Sequence, residues 1–219
     1  MEYKIALVYT GMPVSLVKRV ESEVSKRFEG DKLTLLTQSD PSIIADAVKN
    51  GSPSKAALRQ LMDMYCRAAD SGADAILNIC SSVGDFAALN QPAFRALGVP
   101  LVRIDELMAQ KAVEQYTRIG VIATLSSTLE PSMRLVNQKA KELGKDVRVE
   151  GVLAENAFGG GAEKLIEAAR KLDAPECLIL AQGSMADNEA EVENATGIKT
   201  FSSPYWGALD LYGTVKAIG

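Results

Sequence analysis

Along this chain, short continuous apolar runs alternate with stretches where apolar residues recur every three or four positions. "KIALVY" (4–9), "LTLLTQ" (33–38), "DAILNI" (74–79) and "VPLVRI" (99–104) read as strands. So do "RIGVIA" (118–123), "VRVEGVL" (147–153), "ECLILA" (176–181) and "IKTFSS" (198–203). Between them the period turns helical. Val14, Val17, Val20 and Val24 mark a helix over 13–28 that begins near Pro13. "DPSIIADAVKNG" turns into another helix. Leu58, Leu61, Met62, Tyr65 and Ala69 form one face of a third over 54–73, closed by Gly72. Further helices are expected over about 130–143 and 160–172. Strands that are apolar on both faces, separated by helices, predict an α/β protein with parallel sheets covered on both sides.

The pattern repeats. "KIALVYTGMPVSL" aligns with "RIGVIATLSSTL", which puts Thr10 on Thr124. "NICSSVGD" (78–85) aligns with "LAQGSMAD" (180–187), which puts Cys80 on Gln182, Ser81 on Gly183 and Ser82 on Ser184. "GVPLVRIDELMA" (98–109) aligns with "GIKTFSSPYWGA" (197–208), glycine on glycine. Three landmarks in the same order predict two pseudo-symmetric, doubly wound lobes. The expected division is 1–98 plus a returning segment 206–219 for the first lobe, and 99–205 for the second. Ligands of such folds sit at the carboxyl ends of the strands. With the lobes facing each other, Thr10, Cys80, Thr124 and Gln182 would converge on one cleft.

Composition narrows the chemistry. The 219 residues are 47% hydrophobic and 24% charged, ordinary for a globular protein, and the net charge is −4. With no basic stripe, a nucleic-acid partner is not expected. No apolar stretch approaches the roughly 20 residues that span a membrane, and the N-terminal segment reads as a strand rather than a signal peptide. Three cysteines in no metal-site spacing, an odd number, point to reduced thiols and a cytoplasmic location, with no metal. The chain has no histidine. That excludes Ser-His-Asp and Cys-His machinery and histidine-ligated zinc, and leaves Cys, Asp, Glu, Lys or Tyr for acid–base work.

Cys80 ends a strand just before a helical segment. Free N–H groups there would stabilise a thiolate, although a cysteine at a strand end also reads as a small buried hydrophobe. Cys177, inside "ECLILA", reads as core, and Cys66 as a packed or half-exposed helix residue. Thr124, Ser127 and Thr128 follow a strand, where hydroxyls and N–H groups can hold a carboxylate. Ser127 with Glu130 also fits a capping box. Thr10 and Gly11 have the same two readings, and Gly183 and Ser184 occupy the matching loop of the second half. Asp85 and Asp187 read as first-turn helix acids. "GGG" at 159–161 matches no nucleotide-binding fingerprint and reads as a tight turn or rim. Tyr205 and Trp206 read as an interface plug.

On "VIATLSST" (121–128), the polar cluster headed by Cys80, and "LAQGSM" (180–185), the chain resembles the aspartate/glutamate/hydantoin racemase superfamily over nearly its whole length. The resemblance implies two facing α/β lobes, no cofactor, a homodimer, and two thiols flanking the acidic carbon of a small carboxylate. Carried over, Cys80 is the first acid/base, and Thr10, Ser81, Ser82, Thr124 and Ser127 are carboxylate binders. The stretch "ATLSST" is one residue longer than the commonest family form, so Thr128 competes with Ser127. Gln182 departs from the pattern. It stands where relatives carry the second cysteine, and an amide has no proton to exchange near neutral pH.

Three readings follow: Cys80 works alone, as single acid/base or nucleophile, in an isomerase or in a lyase resembling the arylmalonate decarboxylases, whose lone cysteine lies in the other half of the repeat, with Gln182 orienting the substrate or stabilising an enolate; another residue supplies the second proton, for which Ser184 is a weak acid and Asp187 lies far along the helix; or the protein binds a small carboxylate or sugar acid without turning it over. An enzyme predicts an accessible Cys80 with a depressed pKa. A binding protein predicts that Cys80→Ser leaves affinity intact.

Overall fold

A computed structural model describes residues 1–155, 157 and 159–218; Gly219, the last residue of the expected returning segment, lies outside them. The first sheet contains β1 (Glu2–Tyr9), β2 (Lys32–Ser39), β3 (Ala75–Ile79) and β4 (Leu101–Arg103). The second contains β5 (Arg118–Ala123), β6 (Arg148–Leu153), β7 (Cys177–Leu180) and β8 (Lys199–Ser202). Every pairing is parallel, and the orders are β2-β1-β3-β4 and β6-β5-β7-β8. The second sheet thus repeats the first strand for strand. The helices are α1 (Val14–Arg27), α2 (Pro41–Asn50), α3 (Lys55–Asp70), α4 (Gly84–Ala96) and α5 (Glu106–Gln115). They continue with α6 (Ser126–Glu142), α7 (Glu163–Ala169), α8 (Glu189–Thr196) and α9 (Ser203–Lys216).

Period-two alternation sorts β1 between two cores. Tyr3, Ile5, Leu7 and Tyr9 face α1 and α9, while Ala6 and Val8 face Ile43 of α2, Leu61 and Tyr65 of α3, and Ala87 and Phe94 of α4. In the second sheet, Ile119, Val121 and Ala123 face α5 and α6, and Ile122 faces α7 and α8. Adjacent strands β1 and β3 therefore send their helices to opposite faces, as do β5 and β7. Each pair leaves a crevice beyond its carboxyl ends.

The last helix of each half crosses over. α5 follows β4 of the first sheet but buries Met108, Ala109, Ala112 and Val113 against the second. α9 follows β8 of the second sheet but buries Ala208, Leu211 and Val215 against the first. Gly207 lets α9 cross close to the chain before α5: a Cβ there would lie 2.6 Å from the carbonyl oxygen of Ile104. An opening of the second lobe at residue 99 does not hold. β4 pairs with β3, Ile76 against Leu101 and Asn78 against Arg103, so the chain passes to the second lobe only after β4. Among the described residues no helix is long and apolar enough to cross a membrane.

Candidate active site

The two crevices hold the aligned residues. Tyr9 pairs with Ile79, so the next residues of β1 and β3, Thr10 and Cys80, emerge side by side. Beyond β5 and β7 the corresponding residues are Thr124 and Gln182, bonded to each other. The Gln182 Oε1 accepts from the Thr124 N–H at 2.8 Å, and its Nε2 donates to the Thr124 hydroxyl at 2.8 Å. Between the crevices lies a cavity of about 100 Å³. Thr10, Gly11, Cys80, Ser81, Ser82, Thr128, Gln182, Gly183 and Ser184 line it, closed by Pro13, Leu16, Ile44, Ile79 and Leu125. Among the described residues none of these lining side chains is charged.

Cys80 is half-buried. A short 3₁₀ turn, Ser81–Val83, follows it and leads straight into α4. The Thr10 hydroxyl and the N–H groups of Ser82 and Val83 reach its sulfur and favour the thiolate. Desolvation opposes them and wins, with the Asp105 carboxylate adding to it, so the thiol is pushed above its ordinary value. The depressed pKa expected of an enzyme is therefore not found. The expected N–H groups are present, but burial outweighs them. The resting side chain is a neutral thiol that carries a proton.

Buried polar groups hold this turn. The Asn78 amide donates to the Cys80 carbonyl at 3.1 Å and accepts from the Tyr65 hydroxyl at 2.8 Å. Beneath the turn, Arg103 and Asp105 form a bidentate pair at 2.7 and 3.2 Å, only 1% and 2% exposed. Arg103 holds the Asp105 carboxyl below the usual range despite its burial. A Cβ at Gly84 would lie 2.4 Å from an Arg103 guanidinium nitrogen, so a larger residue there would have to displace the guanidinium of the buried pair. None of these five supporting residues is among the site residues expected from the sequence. A signal was available for Arg103 and Asp105: the charged pair in "VRID", at the end of a strand that is otherwise apolar.

Polar contacts join the lobes at the cleft. The hydroxyls of Ser82 and Thr128 are hydrogen-bonded at 2.8 Å in a buried position. Outside them, Arg134 of α6 donates to Asp85 of α4 at 2.8 Å. Thr124 lies buried behind Gln182. Ser127 does not join the cleft: it faces a second cavity on the far side of Ser82. Its capping box with Glu130 is also absent. α6 begins at Ser126, so Ser127 falls inside the first turn, and no side chain caps the helix. Asp85 does lie in the first turn of α4, and Asp187 lies in the 3₁₀ turn after β7. Cys177 is core, its thiol pushed up to about 12 chiefly by burial, and Cys66 is exposed. Trp206 packs on the second lobe's core, while Tyr205 is exposed beneath the Arg27 guanidinium.

The sequence model of the family described as Asp/Glu/hydantoin racemase matches residues 13–205. A search of curated proteins finds no significant match. Among solved structures, glutamate racemase isoform RacE1 from Bacillus anthracis superimposes with a TM-score of 0.75 at 15% identity, covering 99% of this chain and 83% of that one. Allantoin racemase from Klebsiella pneumoniae gives 0.68 at 14% identity, over 99% of this chain and 89% of that one. Glutamate racemase from Aquifex pyrophilus gives 0.69 at 20% identity, over 96% of this chain and 83% of that one. At these identities the superpositions establish the shared two-lobed fold.

Proposed function

This chain belongs to the Asp/Glu/hydantoin racemase family, and from that premise we propose that it is a racemase-like isomerase acting at the α-carbon of a small carboxylate, with Cys80 as its single proton carrier. The observation that carries the reading is the facing arrangement of Thr10–Cys80 and Thr124–Gln182 across one small cavity. The carboxylate is held by the hydroxyls of Ser81, Ser82 and Ser184 and by the N–H groups that open the strand-end turns, which have no acceptor inside their own helices. In its thiolate form Cys80 takes the α-proton, which generates the substrate carbanion, and the thiol so formed gives a proton back on that same face. The thiolate left behind is stabilised by the Thr10 hydroxyl and the N–H groups of Ser82 and Val83. A proton returned to the same carbon gives exchange without inversion, and one returned on that face to a neighbouring carbon of the delocalised anion gives the net isomerisation. Gln182 spends one amide hydrogen on Thr124. Its second meets negative charge on the enolate oxygen. The reading carries with it a cytoplasmic homodimer that needs no cofactor.

One observation favours a second reading. A thiol that is neutral at rest is already in the state that protonates a carbanion, whereas proton abstraction must first ionise it. That suits a lyase, in which loss of carbon dioxide supplies the carbanion and Cys80 only quenches it.

Incubation in D₂O with 2-amino, 2-hydroxy and malonate-type acids, followed by NMR of the α-position, separates these readings. Exchange without inversion, lost in Cys80→Ser, supports the one-carrier isomerase. Deuterium appearing only with release of carbon dioxide supports the lyase. Exchange with inversion refutes a single carrier. Binding without turnover, unaffected by Cys80→Ser, makes the protein a carboxylate binder.

A further inference from the structure

The second cavity is not needed by the reaction above, yet it shares a wall with the site. It lies between the first turn of α4, the first two turns of α6, and the loop between α2 and α3, with a volume of about 400 Å³. Ser82 belongs to both cavities, and its hydrogen bond to Thr128 stands between them. On the far side of that bond is Ser127, in the first turn of the 17-residue helix α6. Its residue is 2% exposed and its hydroxyl has no hydrogen-bond partner. Leaving a buried hydroxyl unpaired is unfavourable, and a ligand that pairs with it recovers that loss.

The remaining wall decides the ligand's character. Leu58, Val83, Phe86, Leu89 and Pro131 are apolar, and Leu89 is 79% exposed. The charged residues at the rim are Asp85, Glu130 and Arg134. Their charges sum to a negative value, and the one cation is already engaged by Asp85. An anion would be repelled despite the helix N-terminus. We propose that this cavity is a binding site for a small uncharged molecule, apolar over most of its surface and bearing one hydrogen-bonding group that meets Ser127. Its occupancy is felt at Cys80 through Ser82, whose backbone N–H reaches the Cys80 sulfur while its side chain forms the partition.

Benzyl alcohol and toluene, equal in shape at the ring and different by one hydroxyl, are the probes. Each is titrated into ¹⁵N-labelled protein. The expected result is saturable shifts at the amides of Leu58, Ser82 and Ser127, with toluene roughly 2- to 10-fold weaker, the factor one net hydrogen bond supplies. Ser127→Ala brings the two probes to equal affinity, and Leu58→Trp, which fills the cavity from the opposite wall, abolishes both. At saturation the alkylation rate of Cys80 by iodoacetamide, measured in a Cys66→Ser background, changes. Shifts centred on Thr10, Gly11 and Gly183 would place the probes in the Cys80 cleft and overturn the proposal. So would equal affinities in the unmodified chain, or shifts that never saturate. An unchanged alkylation rate at saturation overturns the coupling. None of these readouts depends on turnover, so failure here and failure of the isomerase reading are distinguishable.

Discussion

The two strand-end corners of the cleft are built on the same plan and finished differently. In the first lobe the Thr10 hydroxyl reaches a sulfur that carries an exchangeable proton. In the second, the hydroxyl and N–H of Thr124 are both taken up by the amide of Gln182. The layer beneath differs too. Under Cys80 lies the buried pair of Arg103 and Asp105. At the aligned positions of the second half stand Ser202 and Pro204, and Ser202 bonds to Glu189 instead. The repeated scaffold thus presents a thiol at one corner and closes the other by internal hydrogen bonding. The symmetric strand order does not bring symmetric side chains to the two switch points.

The largest expected effect of breaking this asymmetry is on rate. Cys80→Ser leaves the strand-end turn in place but substitutes a hydroxyl that neither ionises nor donates as readily. Proton exchange should fall by about 10²- to 10⁴-fold, the range of general acid–base catalysis, with the melting temperature little changed. A variant with full exchange would remove Cys80 from the mechanism. Asp105→Ala comes next, and acts on stability. It strands the Arg103 guanidinium, 1% exposed, without its carboxylate. A loss of about 3–5 kcal/mol is expected by urea denaturation, typical of removing one partner of a buried pair. It also removes an anion that holds the Cys80 thiol up, so the thiol should titrate lower in whatever fraction folds. A loss under about 1 kcal/mol would mean Asp85, 3.7 Å from Arg103, already suffices as its partner.

Much of this was legible in the chain because it is written in local pattern. The apolar runs that became β1, β3, β5 and β7 are buried on both faces, so they read as continuous apolar stretches, too short for buried helices. The repeat was legible from glycine and threonine at matched strand ends. What escaped was set by choices between equivalent surfaces. Nothing in the helical period of α5 or α9 says which of two sheets its apolar stripe will meet, so their crossing, and the sheet to which β4 belongs, required the assembled fold. Ser127 and Thr128 show how fine the limit is. Neighbours on a helix point about 100° apart, so one faces the Cys80 cleft and the other the second cavity. The raised thiol of Cys80 escaped for a further reason. The N–H groups that favour a thiolate are local, whereas desolvation depends on everything packed around it.

On the second corner the expected effects are smaller. Gln182→Ala leaves the Thr124 N–H, in a residue only 9% exposed, without its acceptor. The cost should be about 1–3 kcal/mol. Gln182→Glu keeps an oxygen at the same reach and should recover part of it. Equal losses in both variants would show that packing, not the hydrogen bond, sets the value of this side chain.

Thr10→Val makes the smallest change, and bears most directly on what distinguishes the corners. Valine keeps the shape and removes the one side-chain hydroxyl that reaches the Cys80 sulfur. That hydroxyl favours the thiolate, so its loss moves an already raised thiol further up. A thiol raised in the folded state contributes stability at pH values below its unfolded value, and this is lost as the pH climbs through the folded value. In Thr10→Val the loss should therefore be spread to higher pH. At pH 8 the thiolate fraction falls with the shift, and iodoacetamide alkylation in a Cys66→Ser background should slow by roughly tenfold for each pH unit the thiol moves. Cys177 stays silent in this assay, being fully buried. The counterpart Thr124→Val should leave the alkylation rate unchanged, because its hydroxyl serves Gln182 and not the sulfur. If both valine variants slow alkylation alike, the hydroxyls act through general packing of the cleft, and the two corners are less different than their hydrogen bonds make them.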